Sequence, residues 1–272
     1  MSVNTDRHDG LAIISLAVPG RGNALSPALV AAADEALQSA LADRSVHTVT
    51  FVGEGRHLCT GFDLADLNSL DDGALLWRFV AIEQFLQRIW LAPVRTAAIA
   101  QGSTFGAGAD LFAACDERWL RAGARFRFPG AGFGLVLGTR RLADRVGTDR
   151  ARRWVAFAQT VGAGEALASG FANGWAQAGE AESDGEAPAG GRERPVEGAS
   201  AAPERLAAQD DWSSRLARPP SVDRDTQGAL NRASRADLAD ADLAALVRSA
   251  ARPGLRARIE AYRNALAGAR AR

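Results

Sequence analysis

The chain has 272 residues, 47% of them apolar, and its 32 basic residues balance 32 acidic ones, so the net charge is zero. That length and apolar content suit one large domain with or without an appendage, and the neutral balance argues against a nucleic-acid partner, which needs a basic surface. Every basic residue is arginine, which excludes lysine chemistry such as a Schiff base.

The opening stretch "MSVNTDRHDG" has no basic start followed by an apolar run, and no stretch approaches about 18 uninterrupted apolar residues, so neither a secretory signal nor a membrane span is expected. Cys59 and Cys115 fit a reduced compartment. His8, His47 and His57 lack metal-ligand spacing. The expectation is a cytoplasmic protein without a metal or other cofactor.

In chain order, "LAIISLAVPG" reads as a strand closed by Pro19-Gly20. A helix follows in "LSPALVAAADEALQSALAD": Ser26 suits its cap, Pro27 its first turn, and Leu29, Ala33, Leu37 and Leu41 recur at helical spacing. "VHTVTFVGEG" is a second strand, "TAAIAQG" a third and "RWLRAG" a fourth, with the helix "ALLWRFVAIEQFLQRIW" between the second and third. Strands alternating with helices predict an α/β fold. "TRRLADRVGTDRARRWVAFAQTV" is mostly helical with a break near Gly147. Residues 177–209, rich in Gly, Ala, Glu and Pro, read as a flexible linker or surface insertion, and helices resume in "ADLADADLAALVRSA" and "LRARIEAYRNALAG". The organisation expected is a core over 1–176, the insertion, and a helical region over 210–272.

Two turns invite chemistry. In "GSTFGAGADLFAACD" (Gly102–Asp116), Gly106, Ala107 and Gly108 present a nearly bare backbone before a helix, with Asp110 in its first turn. The first N–H groups of a helix lack intrahelical partners and sit at its positive end, which suits a developing oxyanion. Glycine for tight packing explains the same pattern. The stretch "RHLCTGFDLADL" after the second strand repeats it, again as strand, small residues, glycine and helix. Two such turns from adjacent parallel strands can each offer one N–H to a single carbonyl oxygen, as an enolate or tetrahedral intermediate requires.

"NALS" (Asn23–Ser26), "GEGRHLCTGFDLADL" (Gly53–Leu67), "AQGSTFGAGADLFAACD" (Ala100–Asp116) and "RFRFPGAGFGLVLGTRRLADRVG" (Arg125–Gly147) occur in an order and spacing that resembles the enoyl-CoA hydratase/isomerase family, the crotonase superfamily. The resemblance covers roughly Leu11 to Trp175. It implies a spiral of β-β-α turns with C-terminal helices packed over it, assembled as a homotrimer or hexamer. It also implies an acyl-CoA thioester as substrate, with coenzyme A as part of that substrate and not a separate cofactor. The oxyanion hole would be the backbone N–H groups of Phe62 and Ala107, with Phe62 narrowing or reshaping the pocket. The CoA groove would be lined by Arg21, Asn23, Ala24, Leu25, Cys59, Gly61 and Asp63, and any salt bridge to its phosphates must come from arginine.

The acids depart from the family pattern. Hydratases of the family use two glutamates; Asp110 holds the first position, and the second aligns with Gly130 in "FPGAGFG", where the following loop is about three residues short. Two-carboxylate addition of water cannot run in its usual form. His57 can titrate near neutrality, but the family pattern turns it away from the reaction centre. Arg127 and Arg140 flank the altered loop as pocket residues, solvated charges or subunit contacts. Glu83 and Gln84 either reach the pocket or lie on a solvated face. Asp63 suits a cap of its own helix, Asp116 a structural role, and Trp77, Phe79 and Phe85 the core or acyl-pocket wall. The cysteines read as small buried fillers.

The leading reading is an acyl-CoA enzyme with Asp110 as its sole acid/base, which favours isomerisation, racemisation or a non-standard hydration or lyase step. The second is a catalytically impaired member of the fold that binds CoA thioesters or serves in assembly. A thioester hydrolase ranks below both for want of a nucleophile.

Overall fold

The computed structural model describes residues 2–177, 211–235 and 237–270. Its first element escaped the sequence reading. β1 (Val3–His8) pairs antiparallel with β2 (Leu11–Leu16) across Asp9-Gly10, both at positive φ (49° and 75°). Asp-Gly supports such a turn. β1 is almost wholly polar and exposed, so it carries no apolar alternation to betray a strand, and its charged residues blunt a sheet edge.

From β2 the sheet continues in parallel through β3 (Thr48–Gly53), β4 (Arg95–Ala100), β6 (Glu117–Leu120) and β9 (Gly174–Trp175), in the order β1-β2-β3-β4-β6-β9. All six residues of β3 are buried, as expected of a parallel strand covered on both faces. A second, three-stranded sheet pairs β5 (Ser103–Phe105) with β7 (Arg125–Arg127) in parallel, and β7 with β8 (Val161–Gly162) antiparallel.

Helix α1 (Pro27–Ala42) crosses from β2 to β3, α2 (Asp72–Trp90) from β3 to β4, and α3 (Ala107–Ala114) from β5 to β6. The Ser26 hydroxyl caps α1 by accepting the Leu29 N–H at 3.2 Å, with Pro27 at its start. Its inner stripe, Leu29, Val30, Ala33, Leu37 and Ala40, is buried. Asp71 caps α2 through the Ala74 N–H at 2.7 Å. Beyond β7 come α4 (Thr139–Val146), α5 (Thr148–Ala156) and α6 (Ala163–Ala168), with Gly147 (φ 81°) separating the first two. Beneath α3, Phe112 meets Phe126 and Phe171 at centroid distances of 4.8 and 5.3 Å, which fixes the floor on which α3 rests.

The tail forms α7 (Asp211–Ala217), α8 (Arg224–Ser234), α9 (Ala239–Ala250) and α10 (Leu255–Arg270). The Arg224 guanidinium gathers the carbonyls of Leu41, Asp43 and Val46 at the end of α1. α9 and α10 pack against α2, and α10 also covers the 3-10 turn Pro129–Phe133. Leu75, Phe79, Leu135, Leu246, Leu255 and Ile259 form the apolar cluster beneath this cover.

Two expectations differ from the structure. No α-helix follows the Gly61-Phe62-Asp63 turn; residues 62–71 run irregularly through a short 3-10 helix, Leu67–Ser69, because the strong cap is Asp71 further on. Trp77 is no wall or core residue: it is 69% exposed, on the outer face of α2. Within the helical region read over 210–272, the sequence reading singled out α9 and α10 but not α7 and α8 individually. Of the stretch 177–209, residues 178–209 lie outside the described residues.

Candidate active site

One glycine turn follows β3 and the other follows β5, which continues from the neighbouring strand β4, and the two turns meet. Gly61 has φ 97°, and a Cβ there would fall 2.6 Å from the Phe105 carbonyl oxygen and 3.5 Å from the Ala107 nitrogen, so only glycine allows the turns this close. Around the contact, neighbouring amides are committed. Leu25 N–H donates to Gly61 O at 2.7 Å, Gly106 N–H to Arg127 O at 2.8 Å, and Asp110 N–H to Gly106 O at 3.0 Å. Among the described residues the N–H groups of Phe62 and Ala107 make no such bond. Ala107 is the first residue of α3, where the helix supplies no internal acceptor.

Phe62, Ala107, Asp110 and Gly130 all line one cavity of about 230 Å³. The Phe62 ring stacks on Phe79 at 4.3 Å, with the Arg78 guanidinium 4.7 Å from its centroid, so the aromatic side chain forms a wall of the pocket. α10 closes another side with Ile259, Tyr262 and Leu266. At Gly130 a Cβ would meet nothing nearer than the Leu135 carbonyl oxygen, at 3.5 Å, an ordinary contact.

Asp110 is 4% exposed, and its Oδ1 has no hydrogen-bond partner. Gly138, in the left-handed region at φ 65°, packs against it so tightly that a Cβ there would lie 2.0 Å from Oδ1. Behind it the buried Glu83 and Arg141 form a bidentate pair at 2.9 and 2.6 Å. Burial pushes the Asp110 carboxyl well above the usual carboxylate range; the Arg141 charge pulls it back and the Glu83 charge pushes it further up. Burial works against the Arg141 charge, but its hydrogen bond and ion pair with Glu83 outweigh that and lift its pKa. The Glu83 oxygens are fully engaged, one also by Gln87 Nε2 at 3.1 Å, whereas Asp110 is not.

The residues expected along the CoA groove fall into two sets. Arg21, with its side chain 47% exposed, pairs with Asp63 at 2.6 Å, and Asp63 also accepts the Ala65 N–H at 3.0 Å, a local turn rather than a helix cap. Asn23 (φ 53°) is a brace: its Oδ1 accepts the Val18 N–H at 2.9 Å, and its Nδ2 donates to the carbonyls of Glu54 and His57 at 3.0 and 2.8 Å. Leu25 and Cys59 are buried, and the Cys59 carbonyl accepts the Phe105 N–H at 3.1 Å; burial pushes its thiol up to about 12. Ala24 is half-buried beside them. Thus Arg21 and Ala24 offer surface, while Gly61 is buried and the side chains of Asn23, Leu25 and Cys59 are engaged inside.

The remaining candidates resolve as follows. His57 Nδ1 accepts the Ser103 N–H at 2.9 Å, a structural tie between the turns. Arg140 pairs with Asp242 at 2.7 Å on α9, and Arg127 lines the cavity with its Nε held by the Ala158 carbonyl at 2.8 Å. Glu83 is buried, not solvated, while Gln84 is exposed. Asp116 accepts the backbone N–H and the hydroxyl of Thr96 at 2.9 and 3.1 Å. Phe85 sits in the core, edge-on to Phe51. Among the described residues no three His, Cys, Asp or Glu side chains gather as a metal site.

The sequence profile of enoyl-CoA hydratase/isomerase matches residues 6–178. The chain belongs to that family. It is 34% identical to a probable enoyl-CoA hydratase, EchA6, of Mycobacterium leprae over 172 residues, which is 61% of this chain and 67% of the relative. It is 33% identical to a probable enoyl-CoA hydratase of Rhodobacter capsulatus over 179 residues, 63% of this chain and 68% of the relative. The matched region thus spans about two thirds of these relatives. Its fold is similar to that of a putative enoyl-CoA hydratase/isomerase from Bordetella parapertussis, with TM-score 0.80 and 38% identity, covering 96% of this chain and 98% of the other. The crotonase-type α/β fold read from the four motifs is therefore the fold of this chain. Within this family member, sequence reasoning missed Arg141 and Tyr262. "TRRL" holds two adjacent arginines with nothing to say which is buried, and the tail gives no sign that Tyr262 reaches the cavity.

Proposed function

We propose that this family member binds an acyl-CoA thioester with its carbonyl oxygen between the N–H groups of Phe62 and Ala107, and that Asp110 moves the proton on the α-carbon. Ionised Asp110 takes that proton as the C–H bond breaks, and the electron pair passes to the thioester oxygen, where the two N–H groups stabilise the enolate. The proton returns to the α-carbon, giving exchange or racemisation, or to the γ-carbon, giving isomerisation. The observation that carries the reading is a buried, partly unpartnered carboxyl in the same cavity as two amides without acceptors. Burial raises the Asp110 pKa, the direction that makes its carboxylate a stronger base. Gly130 leaves no second acid there, which disfavours ordinary hydration and keeps a second reading in play, a protein that binds thioesters without turning them over.

Assembly as a homotrimer or hexamer belongs to the same proposal. Trp77 and Phe157, 69% and 80% exposed, are the large apolar groups a subunit contact would cover, and a monomer in sedimentation velocity would refute it.

The deciding experiment is solvent deuterium exchange at the α-carbon of a bound acyl-CoA. Asp110→Asn keeps the shape and removes the proton transfer, so exchange should fall by about 10²–10⁴-fold while thioester binding persists. Equal exchange in both proteins removes Asp110 from the mechanism. Absence of exchange in both, with binding retained, selects the second reading.

A further inference from the structure

Among the described residues lining the cavity, two carry a buried oxygen without a hydrogen-bond partner: Asp110 with Oδ1, and Tyr262 with its hydroxyl. Buried hydroxyls are nearly always paired, so an orphan in a binding cavity calls for an explanation. The placement of Tyr262 is built into the fold. Its ring lies edge-on to Phe133, with centroids 5.6 Å apart, and occupies the space over Gly132, where a Cβ would stand 2.5 Å from Cε2. That turn also carries Gly130. Leu255 and Ile259 of the same helix are buried in the cluster beneath, and the Asp72 carboxylate holds the helix start through the N–H groups of Gly254, Leu255 and Arg256. Ring and helix are both fixed, and the hydroxyl is left over.

We propose that Tyr262 determines which acyl groups the cavity takes, donating its hydroxyl proton in a hydrogen bond to an oxygen on the acyl chain. This rests on the acyl-CoA reading above. The cavity otherwise presents mainly carbon, with Phe62, Phe79, Leu135 and Leu137 in its wall. A plain alkyl chain fills such a space but leaves the hydroxyl unpaired, and a site with a buried donor rejects the analogue that lacks the acceptor. The preferred substrates are therefore thioesters whose acyl group bears a hydroxyl, ketone or carboxylate oxygen. Arg127 and Arg263 line the same cavity and add positive charge that favours the carboxylate within that class.

The test is calorimetric binding to the full chain of acetoacetyl-CoA against butyryl-CoA, and of adipoyl-CoA against hexanoyl-CoA, with wild type and Tyr262→Phe. At least one oxygenated thioester should bind about tenfold or more tighter than its alkyl partner in wild type, the scale of one buried hydrogen bond. That preference should collapse in the Phe variant while butyryl-CoA binding holds or tightens. The pair that shows the preference tells ketone from carboxylate. Tyr262 is the chain's one tyrosine, so 3-fluorotyrosine labelling gives a single fluorine resonance, which the preferred thioester should shift further than its alkyl partner. No preference in wild type that binds butyryl-CoA, or an equal preference in the Phe variant, overturns the assignment of Tyr262 and leaves the acyl-CoA reading standing. Failure of every thioester to bind overturns both.

Discussion

The carboxyl of Asp110 is buried with one oxygen unpartnered, beside an ion pair whose own charges cancel. Ionising it adds a net charge to a dry cluster, and this is the cause of its raised pKa. The folded chain therefore holds the Asp110 proton at pH values where the unfolded chain has lost it. By linkage, this group's contribution to stability is full below its ordinary value of 3.8 and is lost as pH rises through the raised folded value. Asp110→Asn removes that loss. The stability of the variant relative to wild type, from urea unfolding between about pH 4 and 8, should increase with pH. Parallel profiles would show that Asp110 is not desolvated in solution. The position of Asp110 at the start of α3 was legible because small residues and an apolar helical run meet just before it. Its electrostatics were not, because Glu83 and Arg141 lie 27 residues before and 31 after it and meet only in the folded chain.

Helices with strong local signals were legible as elements. α1 shows its cap, its proline and its apolar stripe within a single stretch of sequence, and the structure uses all three. β1 carries no such signal, since its residues are polar and its pairing with β2 supplies what local pattern does not. α10 lies between these cases: its helical spacing was readable, but its docking depends on Asp72, the first residue of α2. Asp72 accepts three N–H groups at 2.8–3.0 Å at the start of α10, and these bonds, that of Arg256 foremost, hold its carboxyl below the usual range. A lowered folded pKa means that this contribution is present above the ordinary value of 3.8 and is lost as pH falls through the lower one. Asp72→Ala should cost about 1 kcal/mol, the size of a lost helix cap, and should loosen α10 over the cavity. Hydrogen exchange of the amides from Leu255 to Tyr262 should speed up while that of β3 stays slow. Unchanged exchange in α10 would mean that apolar packing alone holds the helix.

At the scale of the molecule, four motifs in sequence order carried the fold through their resemblance to the enoyl-CoA hydratase/isomerase family. Closure of the cavity was not legible, since it is made by α10, more than a hundred residues beyond the turns it covers. Closure has a thermodynamic consequence. The cavity draws its walls from the two turns, the 3-10 segment Pro129–Phe133 and α10, and unfolding scatters all of them. A ligand that needs the assembled cavity binds only the folded chain, and at a hundred times its Kd it adds about 2.7 kcal/mol of stability. For a chain of this size that corresponds to a rise in melting temperature of roughly 5–10 °C. An oxygenated acyl-CoA should produce that rise. Free CoA should produce less, because it has neither the carbonyl for the amides of Phe62 and Ala107 nor an acyl group for the cavity. Equal shifts with CoA and with the thioester would place the binding energy in the nucleotide groove alone, and would leave the cavity without a part in recognition.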